Sequence, residues 1–257
     1  MLGWRSLDAE IGRWRQAGRR PRLWWRDDDA RAATPQLHRL IIQVARADLP
    51  LCLAVIPEGM NPTLSEAVAP YERIAVLQHG VRHADDTGAP SEFRLDEPPR
   101  DVAARLAEGW AALEGFERRR PVYVPPWNAL AANVEEALRL SGHRAVSAWS
   151  GLSRPGRIDT HVDLLRWRGG PRFAGRERVL GRLTEALRMR RREGLWNEPL
   201  GLLTHHLVHD EAAWRFLEEL LLSAPLQSSV DWPEANALFG LERPAATPDP
   251  IRQVLPA

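Results

Sequence analysis

Three clusters of metal-ligating and acid–base side chains each follow a short apolar run of the sequence. They are Asp27-Asp28-Asp29 after 23–25, His79 to His83 after 74–77, and His205-His206 after 200–203. Such runs are typical of buried parallel strands, whose carboxyl ends meet at one edge of a sheet or barrel. Two imidazoles and a carboxylate that meet there would form a metal site.

The three consecutive aspartates concentrate negative charge that needs a cation or an arginine beside it. Successive side chains that leave a strand point in different directions, so only one or two of the three can face a shared pocket. We expect Asp27 to act as a base, Asp28 to bind the metal and Asp29 to serve the loop or the following helix. The alternative is a solvated loop or a helix N-cap.

The first histidine pair has a spacing that suits a metal site. His79 and His83 lie four positions apart, which places both rings on one side if the chain turns helically after the strand. Two neutral nitrogens and one carboxylate leave positions open for water and substrate, as in a catalytic site. We therefore expect both histidines to be ligands.

Two further segments offer catalytic groups. The run Tyr123-Val124-Pro125-Pro126-Trp127-Asn128 ends a strand in a stiff turn, which can hold a backbone N–H against a developing oxyanion. His205 and His206 face opposite sides if they continue a strand, so one of them would act as general acid. A packed turn and core histidines are the alternatives.

The elements that must position these groups alternate between strand and helix. Strands are predicted at 22–26, 51–56, 73–78, 121–125, 144–149, 162–167 and 200–205, and helices at 35–48, 62–70, 99–118, 130–141, 174–192 and 211–223. Seven such units predict a parallel sheet that closes or nearly closes into an α/β barrel. We expect a single domain over 1–257, with an N-terminal helix at about 5–18 and a proline-rich tail at about 242–257.

Composition narrows the class of protein. The 257 residues are 44% apolar and carry a formal charge of +1, which disfavours a nucleic-acid or anionic-membrane binder. All 35 basic residues are arginine, so lysine chemistry is excluded. No signal-peptide-like or membrane-spanning run precedes the first strand, so the expected compartment is the cytoplasm.

The segment 176–192 is dense in arginine, with Val179, Leu183 and Leu187 interleaved. It could bind a phosphate backbone or an anionic substrate tail. The more frequent arrangement is a helix that buries its leucines and solvates its charges.

With these residues assembled, the chain resembles the polysaccharide deacetylase superfamily, carbohydrate esterase family 4, as a divergent member. The matching motifs are Asp27-Asp28, the His79 and His83 pair, Pro125-Pro126-Trp127, and Leu-x-x-His ending at His205 or His206. A further tryptophan motif has only a faint counterpart at Trp149. The resemblance implies a distorted (β/α)7 barrel and one divalent metal, with zinc first and cobalt, nickel or iron as alternatives.

The resemblance also implies roles for residues. Asp27 would be the base, Asp28 a ligand, the Trp127 amide an oxyanion donor, and His205 or His206 the general acid in hydrolysis of an N-acetyl group or related amide of a sugar. Pro126, Trp127, Asn128 and Arg82 would contact substrate. Two departures stand out: Asp29 replaces a family glycine, and Val124 replaces an arginine that orients the catalytic aspartate, for which Arg26 or Arg82 would compensate.

Other functions fit parts of the pattern. Two histidines and a carboxylate also describe the iron site of non-haem oxygenases, and a barrel without its orienting arginine could be an impaired deacetylase that binds a carbohydrate or a partner. An arginine-dependent nucleic-acid module ranks third. We expect a small-molecule or saccharide substrate, neither nucleic acid nor membrane as partner, and a substrate-selecting loop at 84–97.

Overall fold

The structure is a computed structural model that describes residues 2–84 and 90–242. Its helices are α1 (Leu2–Gln16), α2 (Pro35–Ala47), α3 (Thr63–Val68), α4 (Pro99–Ala112), α5 (Ala132–Leu140), α6 (Arg176–Arg192), α7 (Glu211–Leu221), α8 (Ala224–Ser229) and α9 (Ala235–Phe239). Its strands are β1 (Leu23–Ala30), β2 (Leu51–Val55), β3 (Ile74–His79), β4 (Arg119–Val124), β5 (Ala145–Val146), β6 (Val162–Asp163), β7 (Leu165–Arg166), β8 (Arg172–Phe173) and β9 (Leu200–Thr204). Single 3₁₀ turns span Pro126–Asn128 and His206–Val208.

Seven of the strands form one parallel sheet in the order β5-β4-β3-β2-β1-β9-β6. Consecutive strands from β1 to β5 are neighbours because each βα unit returns beside the last, and β9 pairs with the other side of β1. All carboxyl ends therefore lie at one edge of the sheet. This edge collects the residues after β1, β3, β4, β6 and β9.

The sheet curls toward closure through the segment before β6. Val146 bridges to Arg157 and Trp149 bridges to Thr160, while β6 pairs with β9 on its other side. This segment therefore joins the two ends of the sheet, and the architecture is a distorted (β/α)7 barrel, as predicted.

Side chains of β1 alternate between two environments. Leu23 and Trp25 pack in the apolar layer between sheet and helices, whereas Trp24 packs in the smaller core inside the curl with Phe239 of α9. Alternation places Arg26 with Trp24 on the inner side.

The bounds of several predicted elements differ from those in the structure. The strand expected at 162–167 is divided, because β6 joins the main sheet while β7 pairs antiparallel with β8 in a separate hairpin. The predicted N-terminal helix is α1, which buries Leu7, Ile11 and Trp14. Most of the predicted tail lies outside the described residues. Within those residues, no helix has both the length and the apolar character that crossing a membrane requires.

One half-buried histidine predicts an acid-sensitive fold. Burial lowers the pKa of His143 to about 4, and its Nε2 lies 3.0 Å from Gln78 Oε1. The folded-state pKa is below the unfolded value near 6.5, so the unfolded chain binds more protons between these values. The free energy of unfolding should fall by on the order of 1 kcal/mol per pH unit as pH drops from about 6.5 to 4 through this residue.

The measurement is urea denaturation at several pH values for the wild type and His143→Gln. The variant should lose less stability than the wild type over that interval. An identical pH dependence in the two proteins would contradict the prediction.

Candidate active site

A break in the pairing of β1 decides which aspartates reach the inner edge of the barrel. The register between β1 and β2 shifts between Asp27 and Ala30, and Asp29 has φ 74°. A left-handed conformation is uncommon for residues other than glycine. It turns the Asp29 carboxylate toward the end of β3, where His79 lies.

Asp29, His79 and His83 lie close enough together to hold one metal ion, and we call these three side chains the ligand group. One ligand atom from each lies within 4.8 Å of the others, and Asp29 Oδ1 is 3.1 Å from His79 Nε2 and 3.4 Å from His83 Nε2. The prediction of Asp28 as the carboxylate ligand is corrected to Asp29, because the bulge moves Asp29 into this position.

The donor set fits a divalent metal ion. Ligand separations of this size suit an ion about 2.0–2.2 Å from each donor. His79 Nδ1 lies 3.0 Å from the carbonyl of Val124; a proton on Nδ1 donates to that oxygen and leaves Nε2 free to bind a cation. Burial by itself lowers the pKa of His79, but the charge of Asp28 and the hydrogen bond with Asp29 raise it overall. The position therefore favours positive charge.

His83 reaches the ligand group through a loop and not through the helical turn on which the spacing argument depended. The buried Glu92 carboxylate accepts hydrogen bonds from the N–H groups of Val81, Arg82 and His83. Gly80 has φ 59°, and a Cβ there would collide with Glu92 and lie 2.6 Å from Pro126 Cγ. The chain therefore bends tightly around Glu92, and His83 turns back toward Asp29.

Asp28 lies beside the ligand group and is held by Arg26. Nε and Nη2 of Arg26 each donate to a different oxygen of Asp28 at 2.8 Å. Arg26 is fully buried and also donates to Ser147 and to Asn128 Oδ1. Of the two arginines expected to compensate for Val124, Arg26 contacts an aspartate of the cavity, whereas Arg82 contacts Glu58.

Asp27 faces the other side of the strand. It is fully buried; its Oδ1 lies 2.5 Å from His206 Nδ1, and its Oδ2 accepts from Thr204 Oγ1 and the His206 N–H. Burial alone raises the pKa of Asp27, but the charge and hydrogen bond of His206 lower it overall. The predictions of Asp27 as base and His206 as general acid are therefore corrected, since neither lines the cavity.

His205 points into the cavity beside a carboxylate that the sequence did not single out. His205 Nδ1 lies 4.0 Å from Asp163 Oδ1, and the Trp167 ring packs 4.7 Å from the imidazole. Asp163 accepts from the Leu165 N–H and from Trp167 Nε1, and burial raises its pKa. No spacing in the sequence distinguished Asp163, which becomes recognisable only once β6 is placed beside β9.

The turn after β4 brings Trp127 over the ligand group. Trp127 has φ 53° and Asn128 φ 58°, a strained pair that directly follows the two stiff prolines Pro125 and Pro126. The Trp127 ring lies 4.6 Å from the His83 ring. Among the described residues, the Trp127 N–H has no backbone acceptor.

These groups share one cavity of about 1250 Å³. Its lining includes Asp28, Asp29, His79, His83, Trp127, Asn128, Asp163 and His205. Arg82 and Pro126 do not line it: Arg82 is directed toward Glu58, and Pro126 packs on Gly80. The described part of the 84–97 loop does not line it either, while 85–89 lie outside the described residues.

Asp29→Ala is expected to reduce bound divalent metal from a stoichiometric amount to near zero. The variant removes the only carboxylate oxygen of the three-donor group described here, and two imidazoles alone bind weakly. Elemental analysis after dialysis against zinc measures the outcome. Asp163→Asn is the matched control and should keep its metal. Equal metal content in Asp29→Ala and wild type would overturn the ligand assignment.

The chain matches no family model and no curated protein. Solved structures similar to it include the Bc1960 peptidoglycan N-acetylglucosamine deacetylase, at 10% identity and TM-score 0.56, over 85% of this chain and 88% of that one. A family 4 acetyl xylan esterase from Clostridium thermocellum with a cobalt ion has 11% identity and TM-score 0.51, over 86% and 91%.

A family 4 pseudoenzyme from Bacillus anthracis is also similar, with 13% identity and TM-score 0.52 over 86% of this chain and 66% of that one. The chain therefore has the same fold as these deacetylase, esterase and pseudoenzyme structures, which is the fold that the sequence resemblance implied.

Proposed function

We propose that this chain is a metal-dependent hydrolase that removes an acyl group, foremost N-acetyl, from a sugar or related small amide. The observation that carries the proposal is the convergence of three kinds of group on one cavity. These are the Asp29, His79 and His83 donors, the carboxylate of Asp28, and the imidazole of His205. The deacetylase and esterase with the same fold support the same reaction class.

Asp29, His79 and His83 would hold the divalent ion, for which zinc is the first choice and cobalt, nickel and iron are alternatives. When bound, such an ion polarises a carbonyl oxygen and lowers the pKa of a water molecule. The cobalt-containing esterase of the same fold supports a metal at this position.

Asp28 is the base in this proposal. Its carboxylate lines the cavity beside the ligand group and takes the proton of the attacking water. Arg26 holds both oxygens in a bidentate pair, which fixes the direction of the carboxylate. This positioning stands in for that of the family arginine.

The charge that develops on the amide oxygen needs a donor, and the leaving amine needs a proton. The backbone N–H of Trp127 is held in place by the strained turn and donates a hydrogen bond to the oxyanion. His205 gives a proton to the departing nitrogen. The carboxylate of Asp163 flanks this ring, with its Oδ1 4.0 Å from Nδ1 of His205.

A saccharide substrate fits the walls of the cavity. Trp127, Trp149 and Trp167 line it with 40%, 37% and 47% of their surface exposed. Exposed indole faces at a concave site offer flat apolar surfaces against which sugar rings can pack. The peptidoglycan deacetylase of the same fold supports this substrate class.

The test is acetate release from N-acetylglucosamine and its oligomers by the zinc- or cobalt-loaded protein, compared with His83→Ala. We expect release by the wild type that depends on metal and is lost in the variant. Metal binding without release from any N-acetylated sugar would overturn the hydrolase and favour a binding protein, as for the pseudoenzyme of this fold.

A further inference from the structure

One wall of the cavity carries five arginines. Arg166 and Arg172 belong to the β7–β8 hairpin, Arg168 lies in its turn, and Arg178 and Arg182 lie one helical turn apart on α6. All five are exposed. We call this set the arginine wall. The hairpin and the first half of α6 thus present positive charge to the same space as the candidate metal site.

Within the described residues, the arginine wall differs from several neighbouring arginines of α6 in its lack of polar partners. Among the described residues, none of its five side chains makes an ion pair or a hydrogen bond. Other arginines of the helix are engaged: Arg176 with Glu219, Arg188 with Glu185 and Arg191 with Glu10. Within the described residues, carboxylates thus pair with these three arginines outside the cavity, whereas the five that line it have none.

The acidic side chains that line the cavity have partners other than the arginine wall. Asp28 is paired with Arg26, Asp29 lies among the histidines, and Asp163 accepts from Leu165 and Trp167. Five like charges facing one space repel each other, and an anion placed among them relieves that repulsion. The wall is thus complementary to a ligand with negative charge.

We propose that the substrate of the site carries a phosphate group, which the arginine wall binds while the amide lies at the Asp29, His79 and His83 group. This inference rests on the proposed hydrolase function. A guanidinium pairs with phosphate oxygens through two parallel hydrogen bonds. Five guanidinium groups offer more donors than the two oxygens of a single carboxylate can accept. The cavity of about 1250 Å³ exceeds the roughly 300–1000 Å³ of typical ligand sites, so it has room for a sugar and a phosphate.

The first test measures binding without turnover, by titration calorimetry of the metal-loaded full chain. The probes are glucose 1-phosphate, UDP-glucose, glucuronate and glucose, none of which carries an N-acyl group on its sugar. Glucose 1-phosphate or UDP-glucose should bind at least tenfold more tightly than glucose, and the tighter of the two shows whether the group is a monoester or a diphosphate. Glucuronate binding as tight as either would overturn the phosphate assignment.

The variant that tests the wall is Arg178→Gln with Arg182→Gln, and its matched control is Arg192→Gln, an exposed position at the other end of α6. The double variant should lose at least tenfold in phosphate affinity, and the control should stay within twofold. His83→Ala should keep the binding, which separates the arginines from direct binding of phosphate to the metal. Equal affinities in the double variant and the wild type would overturn the proposal.

Acetate release from N-acetylglucosamine 1-phosphate and from N-acetylglucosamine separates this inference from the proposed function. If kcat/KM for acetate release is at least tenfold higher with N-acetylglucosamine 1-phosphate, the result supports both the hydrolase and the phosphate site. Equal hydrolysis of the two keeps the hydrolase and overturns the phosphate site. Phosphate binding that depends on Arg178 and Arg182, without any hydrolysis, keeps the anion site and overturns the hydrolase.

Discussion

Asp28→Asn is expected to lower the rate of amide hydrolysis by about 10²–10⁴-fold, the usual contribution of a general base. The amide is nearly isosteric but cannot accept the proton of the attacking water. The three ligands remain in place, so bound metal should be unchanged. Kinetics and elemental analysis of the same preparation measure both quantities.

The matched control is Asp27→Asn, one residue away on the other face of β1. Asp27 contacts Thr204 and His206 and does not line the cavity. The control should lose stability, because a buried charge partner of His206 is removed, while each folded molecule keeps most of its activity. A larger loss of kcat in Asp27→Asn than in Asp28→Asn would restore Asp27 as the base.

Arg26→Met is expected to lower the free energy of unfolding by about 3–5 kcal/mol, the range for breaking one side of a buried ion pair. The side chain of Arg26 is 0% exposed and that of Asp28 is 2% exposed. Without the guanidinium, the Asp28 carboxylate is a buried charge with no cation paired to it, and the carbonyl of Ser147 also loses a donor. Chemical denaturation followed by circular dichroism measures the change.

Two further variants locate the cause of this loss. Arg26→Met with Asp28→Asn should recover part of the stability, because the uncompensated charge is removed with its partner. Arg39→Met breaks an exposed pair with Glu211 and should change stability by less than about 1 kcal/mol. A double variant no more stable than Arg26→Met would show that lost packing dominates.

Local patterns were sufficient for the order of the elements. The predicted strands of five or six residues and the intervening amphipathic segments recur in the described structure as β1 to β4 and β9 with their helices. The strand predicted at 162–167 was the exception, because its two halves have similar composition. Only pairing with β9 or with β8 distinguishes β6 from β7, and pairing joins residues that are distant in the sequence.

Residue types and their spacing were also sufficient to predict part of the candidate site. His79, His83, Trp127 and His205 were all predicted, and the structure places all four around one cavity. Asp163 was missed, since a single acid after a short strand has no distinguishing spacing. The arginine density of 176–192 was visible, but its division into paired and unpaired side chains depends on which helices and loops face α6.

The assignment within Asp27-Asp28-Asp29 shows most clearly what tertiary structure adds. The residue types and their place after a strand predicted a charged site that needs a cation, and this holds for any register. Which carboxylate meets His79, which meets Arg26 and which is buried against His206 depends on the register shift against β2 and the left-handed conformation of Asp29. Alternation along a strand is a local property, whereas a bulge is selected by the strands and loops packed around it.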